Sequence, residues 1–101
     1  MPGITIGSLD RLKRWGMIEH TMGDDRIAIC LFEDRVYAVD GTCPHSGGPL
    51  AQGALHGRTL VCPWHAWEFD CVTGEVHGFP DRFLKTYEVA VEGDDLVIGL
   101  A

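Results

Sequence analysis

Hydrophobic and polar positions alternate along most of this chain in short blocks whose period suits strands rather than helices. "RIAICLF" (26–32) is β-branched and apolar on both faces, the pattern of a central strand. "GDD" before it and "EDR" after it supply turns. "RVYAVD" (35–40) follows as a second strand, with Val36 and Ala38 on one face and Tyr37 and Val39 on the other. "RTLVC" (58–62) and "AWEFD" (66–70) are again strand-like, and "TGE" (73–75) makes a turn. "LKTYEVAVE" (84–92) alternates, with Tyr87, Val89 and Val91 facing one way, and "GDD" (93–95) turns it into "LVIGL" (96–100) as a hairpin. A short strand at "TIG" opens the chain. The one helical signal, "SLDRLKRWG" (8–16), predicts at most a single turn started by Ser8 and stopped by Gly16.

Short strands at close spacing with little helix predict an all-β fold, an antiparallel sandwich or small barrel. The 101 residues make one compact domain, and no repeat, low-complexity tract or linker divides 1–101. Residues from about 42 to 80 are richer in Gly, Pro, Cys, His and Trp than the flanks, which predicts a smaller loop-rich unit set into the sheet. Eight basic against 15 acidic residues give a net charge of −7, against a nucleic-acid partner and in favour of partners with positive patches. The longest apolar run, "IAICLF", is far short of the roughly 20 residues that span a bilayer. "MPGITIGSLD" shows no basic segment followed by an apolar one, so the expected location is the cytoplasm, away from membrane. There, four cysteines point to metal or structural use rather than disulfides.

"CPHSGGPL" (43–50) puts a thiol and an imidazole one residue apart on a stretch that its prolines and glycines keep from being helical. "CPWHAWEF" (62–69) supplies a second such pair. The pattern is Cys43-x-His45, 16 residues, then Cys62-x-x-His65. Zinc would take all four tetrahedrally. A [2Fe–2S] cluster would take the two Cys on one iron and the two His on the other. Zinc fingers group like ligands, two Cys on a knuckle and two His on a helix. Here each loop mixes the types, as a two-iron site requires when each loop must reach both irons. The cluster is the better fit.

"CPHSGGPL" with "CPWHAWEFD" resembles the two cluster-binding loops of Rieske-type [2Fe–2S] proteins. "TGEV" and "GFP" resemble that family's turn and shielding proline loop, and "LKTYEVAVEGDDLVIGL" its closing hairpin. The resemblance implies the Rieske fold, with one cluster per chain at an exposed tip, held by Cys43, His45, Cys62 and His65. Respiratory and photosynthetic relatives carry an extra disulfide-forming Cys in each loop. Gly48 and Trp64 stand there in this chain, which is instead similar to the soluble Rieske ferredoxins of ring-hydroxylating oxygenase systems. That similarity implies a monomeric one-electron carrier, not an enzyme, between a flavoprotein reductase and a terminal oxygenase. The alternatives are the small subunit of an assimilatory nitrite reductase and a zinc-stabilised interaction module. Trp64, Leu50 and Pro80 are the expected cluster-shielding and partner-contact residues. Trp67 and Phe69 stand where membrane-bound relatives have Ser and Tyr hydroxyls bonded to the cluster's sulfurs, which implies a potential low in the Rieske range.

Outside those loops, Cys30 in "IAICLF" is expected to be a buried small hydrophobe and Cys71, near a turn, to be partly exposed. His20, His56 and His77 have no ligand-spaced partner, although His77 precedes "GFP" and so falls near the cluster region. Gly47 and Gly48 are expected to serve backbone geometry.

Overall fold

The computed structural model describes residues 3–44, 46–64 and 66–99. Its strands form three antiparallel sheets. β1 (Gly3–Ser8), β12 (Asp95–Gly99) and β11 (Val89–Glu92) make a three-stranded sheet in that order. β10 (Thr86–Tyr87), β4 (Arg35–Asp40), β3 (Asp25–Phe32) and β2 (Met17–Met22) make a four-stranded one. β5 (Ala54–His56), β6 (Thr59–Val61), β7 (Glu68–Asp70), β8 (Glu75–Val76) and β9 (Phe79–Phe83) follow one another as a meander.

β3 explains its own composition. Ile27 to Cys30 are all fully buried, because successive side chains enter different cores. Ile27 and Ile29 join Ile6, Leu12, Ile18, Ala38, Leu96 and Ile98. Ala28 joins Val39, Leu50, Leu60, Phe69, Val76 and Leu84, together with Cys43 and Cys62. One central strand thus ties the sheet behind the metal-binding loops to the rest of the molecule.

Three elements differ from expectation. The helix, α1 (Leu9–Trp15), runs seven residues rather than one turn. Ser8 Oγ accepts from the Arg11 N–H and Gly16 closes it at φ +82°, as expected. The extra length is held from a distant place in the chain: Asp94, in the turn between β11 and β12, accepts from Ser8 Oγ at 2.8 Å and from the Asp10 N–H at 2.9 Å. β2 was not expected at all. "MIEHTM" buries only Ile18 and carries no clean alternation, yet it pairs with β3 along its whole length, from Met17↔Cys30 to Met22↔Asp25. The stretch 84–92 is not one strand. Thr86 and Tyr87 pair with β4, the chain leaves the sheet at Glu88, and Val89–Glu92 pair with β12. That change of sheet breaks the shared face expected of Tyr87, Val89 and Val91, and Val91 ends 47% exposed. Among the described residues no helix is long and apolar enough to cross a membrane.

Candidate metal centre

The first loop leaves β4 through a pinched neck. Gly41 donates to the Arg26 carbonyl at 2.7 Å, Leu50 donates to the Gly41 carbonyl at 2.9 Å, and Thr42 bridges Pro49. Within the neck Cys43 donates to the Gly48 carbonyl (2.9 Å) and Gly47 to the Cys43 carbonyl (2.8 Å). Gly47 has φ +76°, the left-handed conformation that suits glycine. A short 3-10 turn, Leu50–Gln52, returns the chain to β5. The second loop joins β6 to β7 and is closed by the Cys62 N–H on the Trp67 carbonyl at 2.8 Å. Each cysteine is therefore held by backbone hydrogen bonds at the base of its own loop.

The two loops touch. A Cβ on Gly48 would lie 3.1 Å from Cys62 Sγ and 3.1 Å from the Trp64 ring, so the first loop's backbone rests against the second loop's ligand. Positions 48 and 64, which the resemblance matched to a disulfide in membrane-bound relatives, thus meet here as glycine and indole. Cys62 Sγ accepts from the Trp64 N–H at 3.4 Å and lies 3.7 Å from Ser46 Oγ. Cys43 and Cys62 are 1% and 2% exposed, in one core with Leu50, Leu60, Phe69, Val76 and Leu84. None of the four cysteines is in a disulfide.

This donor set fits an iron–sulfur cluster. Two soft thiolates sit at the edge of an apolar core, and donors aimed at one sulfur offset its negative charge. The expected ligands His45 and His65 lie outside the described residues. Among the described residues no three metal-ligating side chains gather, since the described half of the expected set is the cysteine pair.

The residues expected to shield the cluster separate. Trp64 is 51% exposed beside the loops. Leu50 is fully buried in the core with both cysteines, so it packs beneath the centre and cannot touch a partner. Pro80 lies within β9 rather than in a loop; β9 is the sheet's edge, where a missing N–H costs no ladder bond. His77 is exposed, with Nδ1 3.4 Å from Glu68 Oε1. It lines an open pocket with Ala66, Trp67, Glu68 and Phe79. There the Trp67 and Phe79 rings stack at 4.9 Å and Arg82 lies over Phe79 at 5.3 Å, an aromatic feature that short-range spacing does not signal. His20 is half-buried in β2 and His56 is exposed in β5.

Cys30 is fully buried, as expected, but Cys71 is fully buried too rather than partly exposed. Asp70 Oδ1 accepts from the Val72 and Thr73 N–H groups at 2.8 and 3.1 Å, folding the turn back, and Cys71 donates to the Arg58 carbonyl at 2.9 Å. Cys71 is thus buried at a turn that was expected to expose it.

With this geometry stand the likenesses to known proteins. Residues 4–88 match the family model of the Rieske [2Fe–2S] domain. The ferredoxin component of a naphthalene 1,2-dioxygenase system from Pseudomonas aeruginosa is 34% identical over 82 residues, covering 80% of this chain and 79% of its own. A ferredoxin from Sphingomonas yanoikuyae B1 superposes with a TM-score of 0.88 at 24% identity, over 99% of this chain and 100% of that one. A protein described as a nitrite reductase NADPH small subunit superposes at 0.80 with 20% identity, over 99% and 100%, a likeness of fold alone. The two closed loops, the paired buried cysteines and a family match across most of the sequence agree: this chain belongs to the Rieske [2Fe–2S] domain family.

Proposed function

We propose that this protein is the ferredoxin of an oxygenase system, a cytoplasmic one-electron carrier between a flavoprotein reductase and a terminal Rieske oxygenase. In this reading Cys43, His45, Cys62 and His65 hold its cluster, and residues from about 42 to 80 form the cluster-binding unit. The observation that carries it is the burial of Cys43 and Cys62 in one core, at the bases of two touching loops, in a chain 34% identical to an oxygenase ferredoxin component. When bound, a [2Fe–2S] cluster with mixed thiolate and imidazole ligands takes up and releases one electron at a potential raised above that of an all-thiolate one.

The chain's own residues supply the setting. Leu50, Leu60, Phe69 and Val76 exclude water from the inner side of the thiolates. The Trp64 N–H and Ser46 hydroxyl favour negative charge on Cys62 Sγ. The exposed Trp64 offers a partner an apolar contact beside the loops, and the net charge of −7 favours a basic docking face. No side chain is asked to activate a substrate, as befits a carrier.

A nitrite reductase small subunit has less behind it, because its likeness stops at the fold. A zinc-stabilised module has less still, given the mixed loops and the family match. The test is stopped-flow reduction by the reductase and reoxidation by the oxygenase, with iron and acid-labile sulfide assayed in parallel. One electron per chain is expected. The rates should fall severalfold as rising salt shortens the Debye length from about 30 Å to about 8 Å. One zinc and no sulfide in protein made with ample iron would overturn the cluster. Co-purification with a large sirohaem-containing chain, and no turnover with the oxygenase, would overturn the oxygenase partner.

A further inference from the structure

A second concave feature lies away from the metal-binding loops, at the seam between two sheets. Thr86 and Tyr87 pair with Val39 and Ala38 of β4, and the chain then crosses to pair Val89–Glu92 with β12. Among the described residues, Arg35, Val36 and Tyr37 are thus left without a strand on that side of β4. The gap is a groove of about 730 Å³ walled by α1, by the β3–β4 turn with the start of β4, and by β11. Asp40, at the other end of β4, leads into the first loop; five residues at about 3.4 Å each put Arg35 roughly 17 Å from it.

The lining divides by chemistry. Leu9, Val36 and Val89 are half-buried against the core built around Ile6, Leu12 and Ile98, and Val91 is exposed beside them. Above this apolar floor stand Lys13, Asp34 and Arg35, all exposed. Four other basic side chains are engaged, Arg14 and Arg58 in ion pairs and Arg82 and Lys85 over aromatic rings. Among the described residues Lys13 and Arg35 have no such partner, and the adjacent Asp34 forms no ion pair with either. Two cations and one carboxylate leave the groove one net positive charge, in a chain that carries −7 overall. Its volume lies in the range of small-molecule sites, about 300–1,000 Å³. An inorganic anion would leave the apolar floor wet, and three free residues of β4 fall short of an ordinary added strand of about 5–6. The occupant that answers both floor and rim is a small anion with a hydrocarbon body.

We propose that this groove binds a small monocarboxylate with a hydrocarbon body, its carboxylate held by Lys13 and Arg35 and its body laid on Leu9, Val36, Val89 and Val91. The Arg35 guanidinium presents two parallel N–H donors to the two carboxylate oxygens, and the Lys13 ammonium adds a third donor from α1. One net positive charge matches one carboxylate, and Asp34 makes a second negative charge on the ligand unwelcome. The hydrocarbon covers Val91, whose exposure follows from the change of sheet at Glu88. Bound there, the ligand bridges α1, β4 and β11 and so ties the four-stranded sheet to the three-stranded one. The site stands at the far end of β4 from the first loop, so it is independent of which reductase or oxygenase the carrier serves.

The experiment titrates cluster-loaded, nitrogen-15-labelled protein with octanoate and follows the backbone amide resonances, with sedimentation velocity in parallel. The expected result is a set of saturable shifts centred on Leu9, Val36, Val89 and Val91, with a dissociation constant of about 1 mM or tighter. Acetate, which has the charge without the body, and octanol, which has the body without the charge, should each bind at least about ten-fold more weakly. Lys13→Gln and Arg35→Gln should each weaken octanoate about ten-fold. Asp34→Asn should tighten it about two-fold, since it removes the opposing charge and asparagine tolerates the left-handed backbone (φ +61°) at that turn. The absence of saturable shifts at those residues in wild type would overturn the proposal. So would octanol or acetate matching octanoate, or a weaker Asp34→Asn complex. A stable dimer that buries the groove in free protein would overturn it too, by making a second copy the occupant.

Discussion

Gly53 decides whether the second loop can be built, and Gly53→Ala measures how much. The residue ends the 3-10 turn after the first loop and donates to the Leu50 carbonyl at 3.0 Å. A Cβ there would lie 1.9 Å from the Val61 carbonyl oxygen and 3.0 Å from Pro63 Cδ. The clashing atom is backbone, so no rotamer change relieves it. Ordinary contact requires the two segments to part by more than 1 Å, which severs the Ala54↔Val61 end of the β5–β6 ladder, one residue before Cys62. Overpacking costs about 1–3 kcal/mol and the lost hydrogen bond about 1 kcal/mol, offset by about 0.4–1 kcal/mol from the stiffer unfolded chain. The net expectation is a loss of about 2–3 kcal/mol. For a chain of this size that lowers Tm by roughly 10–20 °C. Because the displacement lands beside a ligand, the iron content of purified protein should fall as well. Circular-dichroism melts and iron per chain are the assays. A variant that melts within about 3 °C of wild type with full iron would refute the view that this contact sets the second loop.

Two further consequences are open to measurement. Ser46→Ala removes the hydroxyl beside Cys62 Sγ; if that bond favours the reduced state by about 1 kcal/mol, the midpoint falls by about 40 mV from a wild-type value expected near −150 mV, and voltammetry finding no shift would leave Ser46 without an electronic part. Burial opposes ionisation of Asp70, but its bonds from Arg58, Thr73 and Val72 prevail and hold the carboxyl below its ordinary range. A depressed native pKa gives stability that is complete above the unfolded value and lost as pH falls through the native one, so Asp70→Asn should cost roughly 1–2 kcal/mol near neutral pH, shrinking toward nothing in strong acid, and a difference that persisted unchanged in acid would refute that linkage.

What could be read from sequence depended on the distance over which each feature is encoded. The double-faced strand at 26–32 was legible because both cores act on adjacent residues of one segment. The helix caps Ser8 and Gly16 were legible for the same local reason, whereas its length was not, because Asp94 supports it from across the molecule. β2 carries no such local signal, since its order comes from pairing with β3 and not from its own pattern. In the centre, the two Cys–His pairs announced the chemistry. The roles of the flanking residues did not follow from spacing: Leu50, two residues beyond Gly48, points into the core, and Pro80 belongs to an edge strand. Cys71 differs from expectation because a turn is normally exposed, whereas this thiol is fully buried at a turn that Asp70 pins through the Val72 and Thr73 N–H groups.

The way the loops are held bears on how the centre works. Backbone groups close both: Cys43 on Gly48, Gly47 on Cys43, Cys62 on Trp67. Backbone bonds of this kind, rooted in β4, β6 and β7, persist whatever the charge on the sulfurs. Side-chain cages would have to repack when charge changes, and each repacking would add to the barrier for electron transfer. The donors to Cys62 Sγ are a backbone N–H and a short hydroxyl, groups with little freedom to reorient beyond rotation of the hydroxyl. Behind them, Ala28 and Val39 come from the central strands that also build the first core, so a shift at the loops would have to be carried through both cores. Such a scaffold resists change on one side while Trp64 remains exposed on the other, and a carrier that must meet two partners with the same surface needs that combination: an invariant geometry around the redox group and an adaptable contact at its rim.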